Sequence, residues 1–114
     1  MWQTAMSLAE ACYLVTRRFP RSELFGLTGQ IRRAAASIPA NVAEGYGRES
    51  TQTFIQHLRI SQGSLKELET HLLLAVRVEI VSSAATEPLL VQCNDLGKML
   101  RSFIRSLQRK SEEQ

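Results

Sequence analysis

Long apolar runs are missing from this chain of 114 residues. None approaches the roughly 20 residues needed to cross a bilayer. The N-terminus has no basic segment followed by an apolar core, so no secretion signal is legible, and a cytoplasmic location is the expectation. Aromatics are scarce at 6 %, with three prolines and six glycines. That is too few turn-forming residues for a sandwich of many short strands. The two cysteines, Cys12 and Cys93, stand far apart with no Cys or His at ligand spacing, which excludes a metal motif and leaves two core thiols.

What is present suits helices. Hydrophobic residues make up 44 %, chiefly Leu, Ile, Val and Ala, and the length fits a single domain spanning residues 1–114. The charge balance is mildly basic, +3 with a pI near 9.2, and eleven of the fourteen cations are Arg. Arginine favours fork-like contacts to phosphate or carboxylate.

Apolar spacing divides the chain into four helices. The first is expected over Trp2–Arg18. It carries two apolar stripes, Trp2, Ala5, Met6, Ala9, Tyr13 and Thr16 on one side and Leu8, Cys12, Val15 and Phe19 on the other, before Pro20 stops it. Two stripes imply a helix covered on two sides. The second is expected to start at an Ser22 N-cap with Glu23 in its first turn. Its apolar face is Leu24, Leu27, Ile31, Ala34, Ile38, Val42 and Tyr46, and its polar stripe is Gln30, Arg33, Ser37, Asn41, Glu44 and Arg48. Pro39 removes one backbone donor and predicts a kink, and Gly45 and Gly47 predict a left-handed ending.

The third helix, capped by Ser50 or Thr51, has the clearest pattern. Phe54, Leu58, Ser61, Leu65, Leu68, Leu72 and Ala75 alternate steps of four and three, the seam of antiparallel neighbours at a shallow crossing angle. A loop is expected from Glu79 to Glu87, with Thr86 capping a fourth helix and Pro88 in its first turn. That helix repeats the seam through Leu89, Cys93, Leu96, Leu100, Phe103 and Leu107, and a frayed end is expected over residues 110–114. Four helices joined by short connections predict an all-α, up-down-up-down four-helix bundle.

The segments RRAAASIPANVAEGYGRES (residues 32–50) and QGSLKELETHLLLA (residues 62–75) closely resemble the four-helix-bundle proteins encoded in intervening sequences of bacterial 23S ribosomal RNA genes. That family is in turn similar to the accessory variability determinant of diversity-generating retroelements. The resemblance extends from about Trp2 to about Leu107. It implies a bundle that assembles as a homopentameric ring, which would multiply the +3 charge fivefold. It also implies relatives that bind nucleic acid and a reverse transcriptase. It supplies no established activity for the intervening-sequence branch.

No catalytic constellation stands out. His57 and His71 lie fourteen positions apart on one helix, about 21 Å, so they cannot share a metal or a proton within one chain. No Glu-x-x-His pair supplies half of a bundle metal site. GYGRES is a turn rather than a phosphate loop, because no Gly-Lys-Ser/Thr follows and no strand precedes it. The expectation is a protein that is not an enzyme and carries no cofactor or metal.

Asn41, Glu44, Ser64 and Glu67 fall on facing stripes of the second and third helices and read as a structural polar network, with Arg33 or Arg48 as charge partners. The candidates for nucleic-acid contact are Arg17, Arg18, Arg21, Arg32, Arg33 and Arg48, with the stripe Lys98, Arg101, Arg105 and Arg109. Phosphate binding needs charge along a surface rather than a motif. No aromatics interleave with these cations, so backbone contact is expected without base stacking. The expected function is an oligomeric accessory protein binding RNA or DNA. The alternative is a scaffold that docks a partner, such as a reverse transcriptase, without touching nucleic acid.

Overall fold

The computed structural model describes residues 1–113. Four helices, α1 (Trp2–Thr16), α2 (Leu27–Tyr46), α3 (Thr51–Arg77) and α4 (Ser83–Glu112), form a bundle, with one short 3-10 turn at Arg21–Glu23. Consecutive helices run antiparallel. Ser37 meets Ser64 while Asn41 meets His57, so numbers rise along α2 as they fall along α3. Gln52 meets Ser111 and Leu65 meets Gly97, which reverses α4 in the same way. α1 packs on α2 and closes against α4, giving a rod of 52 × 22 × 19 Å. No helix among the described residues is long and apolar enough to cross a membrane.

The seam of α3 buries Leu58, Ser61, Leu65, Leu68, Leu72 and Ala75 at the expected spacing. Its first position differs. Ile55 is buried, while Phe54 is half-buried and sits edge-on to Phe103 at 5.5 Å and to Tyr46 at 6.2 Å. On α4 the core positions are Thr86, Leu89, Cys93, Leu96, Leu100 and Ile104. Phe103 and Leu107 only border that core. Each fully buried leucine contributes roughly 1.5–3 kcal/mol relative to exposure, so this seam holds the rod together.

The helix ends differ from the sequence expectation. Ser22 does not cap α2. The Glu23 carboxylate accepts the Leu27 N–H at 3.1 Å, and α2 begins at Leu27 after Gly26. Thr86 does not cap α4 either. Ser82 accepts the Ala85 N–H at 3.1 Å, and α4 begins at Ser83. Thr86 is buried within the first turns, its hydroxyl donating to the Ser83 carbonyl at 3.1 Å. Pro88 therefore sits inside α4, and Ala84, whose carbonyl it leaves without a helical donor, is an exposed residue. α4 continues to Glu112, beyond the start of the expected frayed end; Gln114 lies outside the described residues.

The glycines at the end of α2 do something other than turn left-handed. Gly47 has φ −74°, and no described glycine has positive φ. Gly45 is buried where α2 crosses α3. A Cβ there would lie 2.8 Å from both the His57 Cβ and the Phe54 Cδ1. Its missing side chain lets the two backbones approach. The left-handed residue is instead Glu79, with φ 63°, after α3. Ile80 N–H bonds the Ala75 carbonyl at 2.9 Å and Glu79 N–H bonds the Val76 carbonyl at 3.0 Å, which closes α3 in a Schellman motif.

Candidate nucleic-acid interface

Lys98, Arg101, Arg105 and Arg109 recur at steps of three and four along α4, all exposed on its outer face. None of the four forms an ion pair among the described residues. Their side chains face solvent. Arg101 borders the groove between α3 and α4, together with Gln62 and Lys66 of α3. Further along the same groove, Arg59, Gln52, Gln56 and Gln108 line a cavity of about 400 Å³. Arg59 and Lys66 were not among the sequence candidates. Both stand just beside the α3 seam, and the seam's own spacing places them on the side that meets α4. The groove thus has cations on both edges, Lys66 beside Glu69 at 3.7 Å, with glutamine amides and Glu112 along it, while Ile55 and Leu65 beneath are buried.

The other Arg candidates are dispersed. Arg48 pairs with Glu44 at 3.0 Å in an exposed i,i+4 bridge, of the kind worth at most about 1 kcal/mol. Arg33 is exposed and folds back along α2 over Gly29. Arg32 is half-buried: its Nε donates to the Thr16 hydroxyl at 2.9 Å, and its guanidinium lies 4.8 Å over the Tyr13 ring. It fastens α2 to α1. Arg17, Arg21 and Arg32 line one cavity at the turn between these helices, whereas Arg18 borders a different, apolar cavity with Leu14 and Ile80.

The polar stripes of α2 and α3 do face each other, and they connect through residues additional to the expected four. Ser37 and Ser64 share a hydrogen bond of 2.8 Å. Asn41 donates to the Ser37 carbonyl at 2.9 Å and accepts from His57 Nδ1 at 3.0 Å. Ser61, fully buried, donates to the Ile38 carbonyl at 2.9 Å. Glu44 and Glu67 stay outside this network. Both are exposed, Glu44 on Arg48 and Glu67 on His71 at 3.4 Å. They occupy the outward edges of their stripes, where water solvates a carboxylate without a partner. The network pins the α2–α3 register and holds no carboxylate.

A second outer face has the opposite character. Trp2, Met6 and Tyr13 of α1 and Ala36, Pro39, Ala40 and Ala43 of α2 line an almost wholly apolar groove of about 400 Å³. Trp2, Met6 and Tyr13 remain 43–46 % exposed. The two thiols lie far from any reactive setting. Burial pushes Cys12 from the ordinary 9.0 up to about 12. Burial also pushes Cys93 to about 12, with Cys12 and Glu69 adding to the rise and Lys66 opposing it. Neither is a nucleophile at neutral pH.

The sequence model of the 23S rRNA-intervening sequence protein family matches residues 1–102. The chain belongs to this family. A crystal structure of a protein of unknown function from the S23 ribosomal protein family of Bacteroides thetaiotaomicron VPI-5482 superposes with a TM-score of 0.81 at 25 % identity. The match covers 90 % of this chain and 96 % of that one. No curated protein matches. The family segment includes Arg59, Lys66, Lys98 and Arg101 but stops short of Arg105 and Arg109. The last two cations of the α4 stripe thus lie outside the span that the family model matches.

Proposed function

We propose that this protein is a non-enzymatic, self-associating accessory factor of the cytoplasm that binds the sugar-phosphate backbone of RNA or DNA. The observation that carries the reading is the unpaired stripe Lys98, Arg101, Arg105 and Arg109, facing solvent beside a groove that adds Arg59 and Lys66. Charge along a surface is sufficient for phosphate contact, and each contact releases counterions. The groove has no exposed aromatic platform, so affinity rests on charge and falls with salt. Assembly through the apolar α1/α2 face, as the homopentamer that the family resemblance implies, would repeat the stripe around one particle and raise the local field. The resemblance to the accessory variability determinant supports the same direction.

The test replaces Arg101, Arg105 and Arg109 with Glu and measures anisotropy of a labelled RNA strand. At 0.1 M salt each lost phosphate contact costs about fivefold in affinity, so the triple variant should lose about a hundredfold or more with helix content unchanged. Unchanged affinity would remove the stripe from the account. A second reading is a protein-interaction scaffold that docks a polymerase such as a reverse transcriptase. It is favoured by the α1/α2 groove, whose large apolar side chains stand open. A partner retained after nuclease treatment, and lost in Met6→Asp, would support it.

A further inference from the structure

The turn between α1 and α2 gathers three arginines around one half-open pocket. Arg17, Arg21 and Arg32 line one cavity of about 340 Å³. None of the three forms an ion pair among the described residues. The acid of this turn, Glu23, is committed to the Leu27 N–H at 3.1 Å. Arg32 is already oriented. Its Nε–H is held by the Thr16 hydroxyl at 2.9 Å and its plane stacks over Tyr13, while Thr16 itself is locked by donating to the Cys12 carbonyl at 2.8 Å. A guanidinium fixed in this way pays little ordering entropy when an anion arrives, and its terminal N–H groups remain free to donate. Thr28, whose hydroxyl makes no hydrogen bond among the described residues, lines the same space, and Pro20 and Leu24 form an apolar wall.

We infer that this cavity binds a phosphomonoester, the terminal phosphate of a nucleotide, with its sugar or base against the Pro20 and Leu24 wall. Three guanidinium groups match the two negative charges and the several acceptor oxygens of a terminal phosphate. A bridging phosphodiester offers one charge and fewer free oxygens. The cavity is also separate from the α4 stripe. It lies at the end of the rod where α1 stops and α2 starts, whereas the stripe runs toward the opposite end at the C-terminal half of α4. The inference therefore does not rest on backbone binding by the stripe.

Titration calorimetry with adenosine 5′-monophosphate, adenosine, and one tetranucleotide carrying either a 5′-phosphate or a 5′-hydroxyl tests it. The 5′-phosphate should strengthen binding of the tetranucleotide by about tenfold or more, and adenosine should not bind. Because the second phosphate ionisation lies near pH 6, the preference should shrink as pH falls through that value. Arg17→Gln with Arg21→Gln, both at exposed positions, should abolish the preference while circular dichroism and any salt-dependent binding of the 5′-hydroxyl strand stay unchanged. Adenosine 5′-monophosphate binding as tightly as the phosphorylated strand would identify a free nucleotide as the ligand, and weaker binding would identify a strand end. Equal affinity for the two tetranucleotides, or a preference that survives in the double variant, would overturn the inference. So would an acidic peptide that binds the cavity where neither phosphate does. Loss of 5′-hydroxyl binding alone, in the α4 variant, would touch only the stripe.

Discussion

The two long outer faces of this rod are built on the same core and end in opposite chemistry. Between α1 and α2, the surface consists of Trp2, Met6 and Tyr13 over a floor of alanines and Pro39. Between α3 and α4 it consists of Arg59, Lys66, Arg101 and glutamines, with Ser111 and the single carboxylate Glu112, over buried Ile55 and Leu65. Both faces lie between antiparallel helices, so helix direction does not explain the difference. Side chains just beside the seam do. Small residues on α2 let α1 lie close and leave a surface that is aliphatic and aromatic apart from Glu10 at its edge. Long polar residues on α3 and α4 extend their charged heads to water while their stems cover the core. The dry face is suited to another protein surface, and the wet face to a polyanion.

The comparison breaks most completely if the shared core is cut. Leu68 is fully buried on the α3 seam, so Leu68→Ala should cost about 2–5 kcal/mol in urea unfolding and weaken both faces together. Next comes the α2–α3 crossing that ties them. Gly45→Ala places a methyl 2.8 Å from the His57 Cβ and the Phe54 Cδ1. The clash should cost about 1–3 kcal/mol and outweigh the roughly 1 kcal/mol gain in helix propensity; a more stable variant would mean that the helices separate freely. Met6→Asp sharpens the contrast instead. Met6 is 45 % exposed, so stability should stay within about 0.5 kcal/mol, while sedimentation should show the proposed assembly falling to monomer and the proposed strand binding per chain persisting. The smallest change at neutral pH comes from the thiols. Cys12 and Cys93 ionise near 9.0 when unfolded and near 12 in the fold. Above pH 9 the unfolded chain therefore binds fewer protons than the folded one, so stability is kept below that pH and declines as pH rises toward 12. At pH 8 both thiols should resist alkylation until denaturant is added.

The fold was legible because the core follows a single period. Leu58, Leu65, Leu68 and Leu72 announce the α3 seam, and Leu89, Cys93, Leu96 and Leu100 repeat it on α4. Helix starts were less legible, since Thr86 and Ser82 are both capping side chains by type. Pro88 drew the boundary toward Thr86, but an exposed Ala84 lets α4 carry the proline inside. The polar network was half legible. Periodicity sets Asn41 and Ser64 on facing stripes, but which partner each meets depends on register between helices. That register brought in Ser37 and His57 and left Glu44 and Glu67 in water. Among the cations, the α4 stripe could be read directly. The α3 contribution of Arg59 and Lys66, and the joining of Arg17, Arg21 and Arg32 around one cavity, needed the three-dimensional arrangement.

The central claim is that the wet face holds a phosphate backbone by charge, and its most direct measurement is the affinity of a labelled single-stranded RNA for the unaltered protein across a salt series. Four phosphate contacts predict a straight line of log affinity against log salt, with about a fiftyfold loss between about 50 and about 200 mM. Binding that does not change with salt, or no binding at the lowest salt, would contradict the account and leave the cations of α3 and α4 as solvated helix surface.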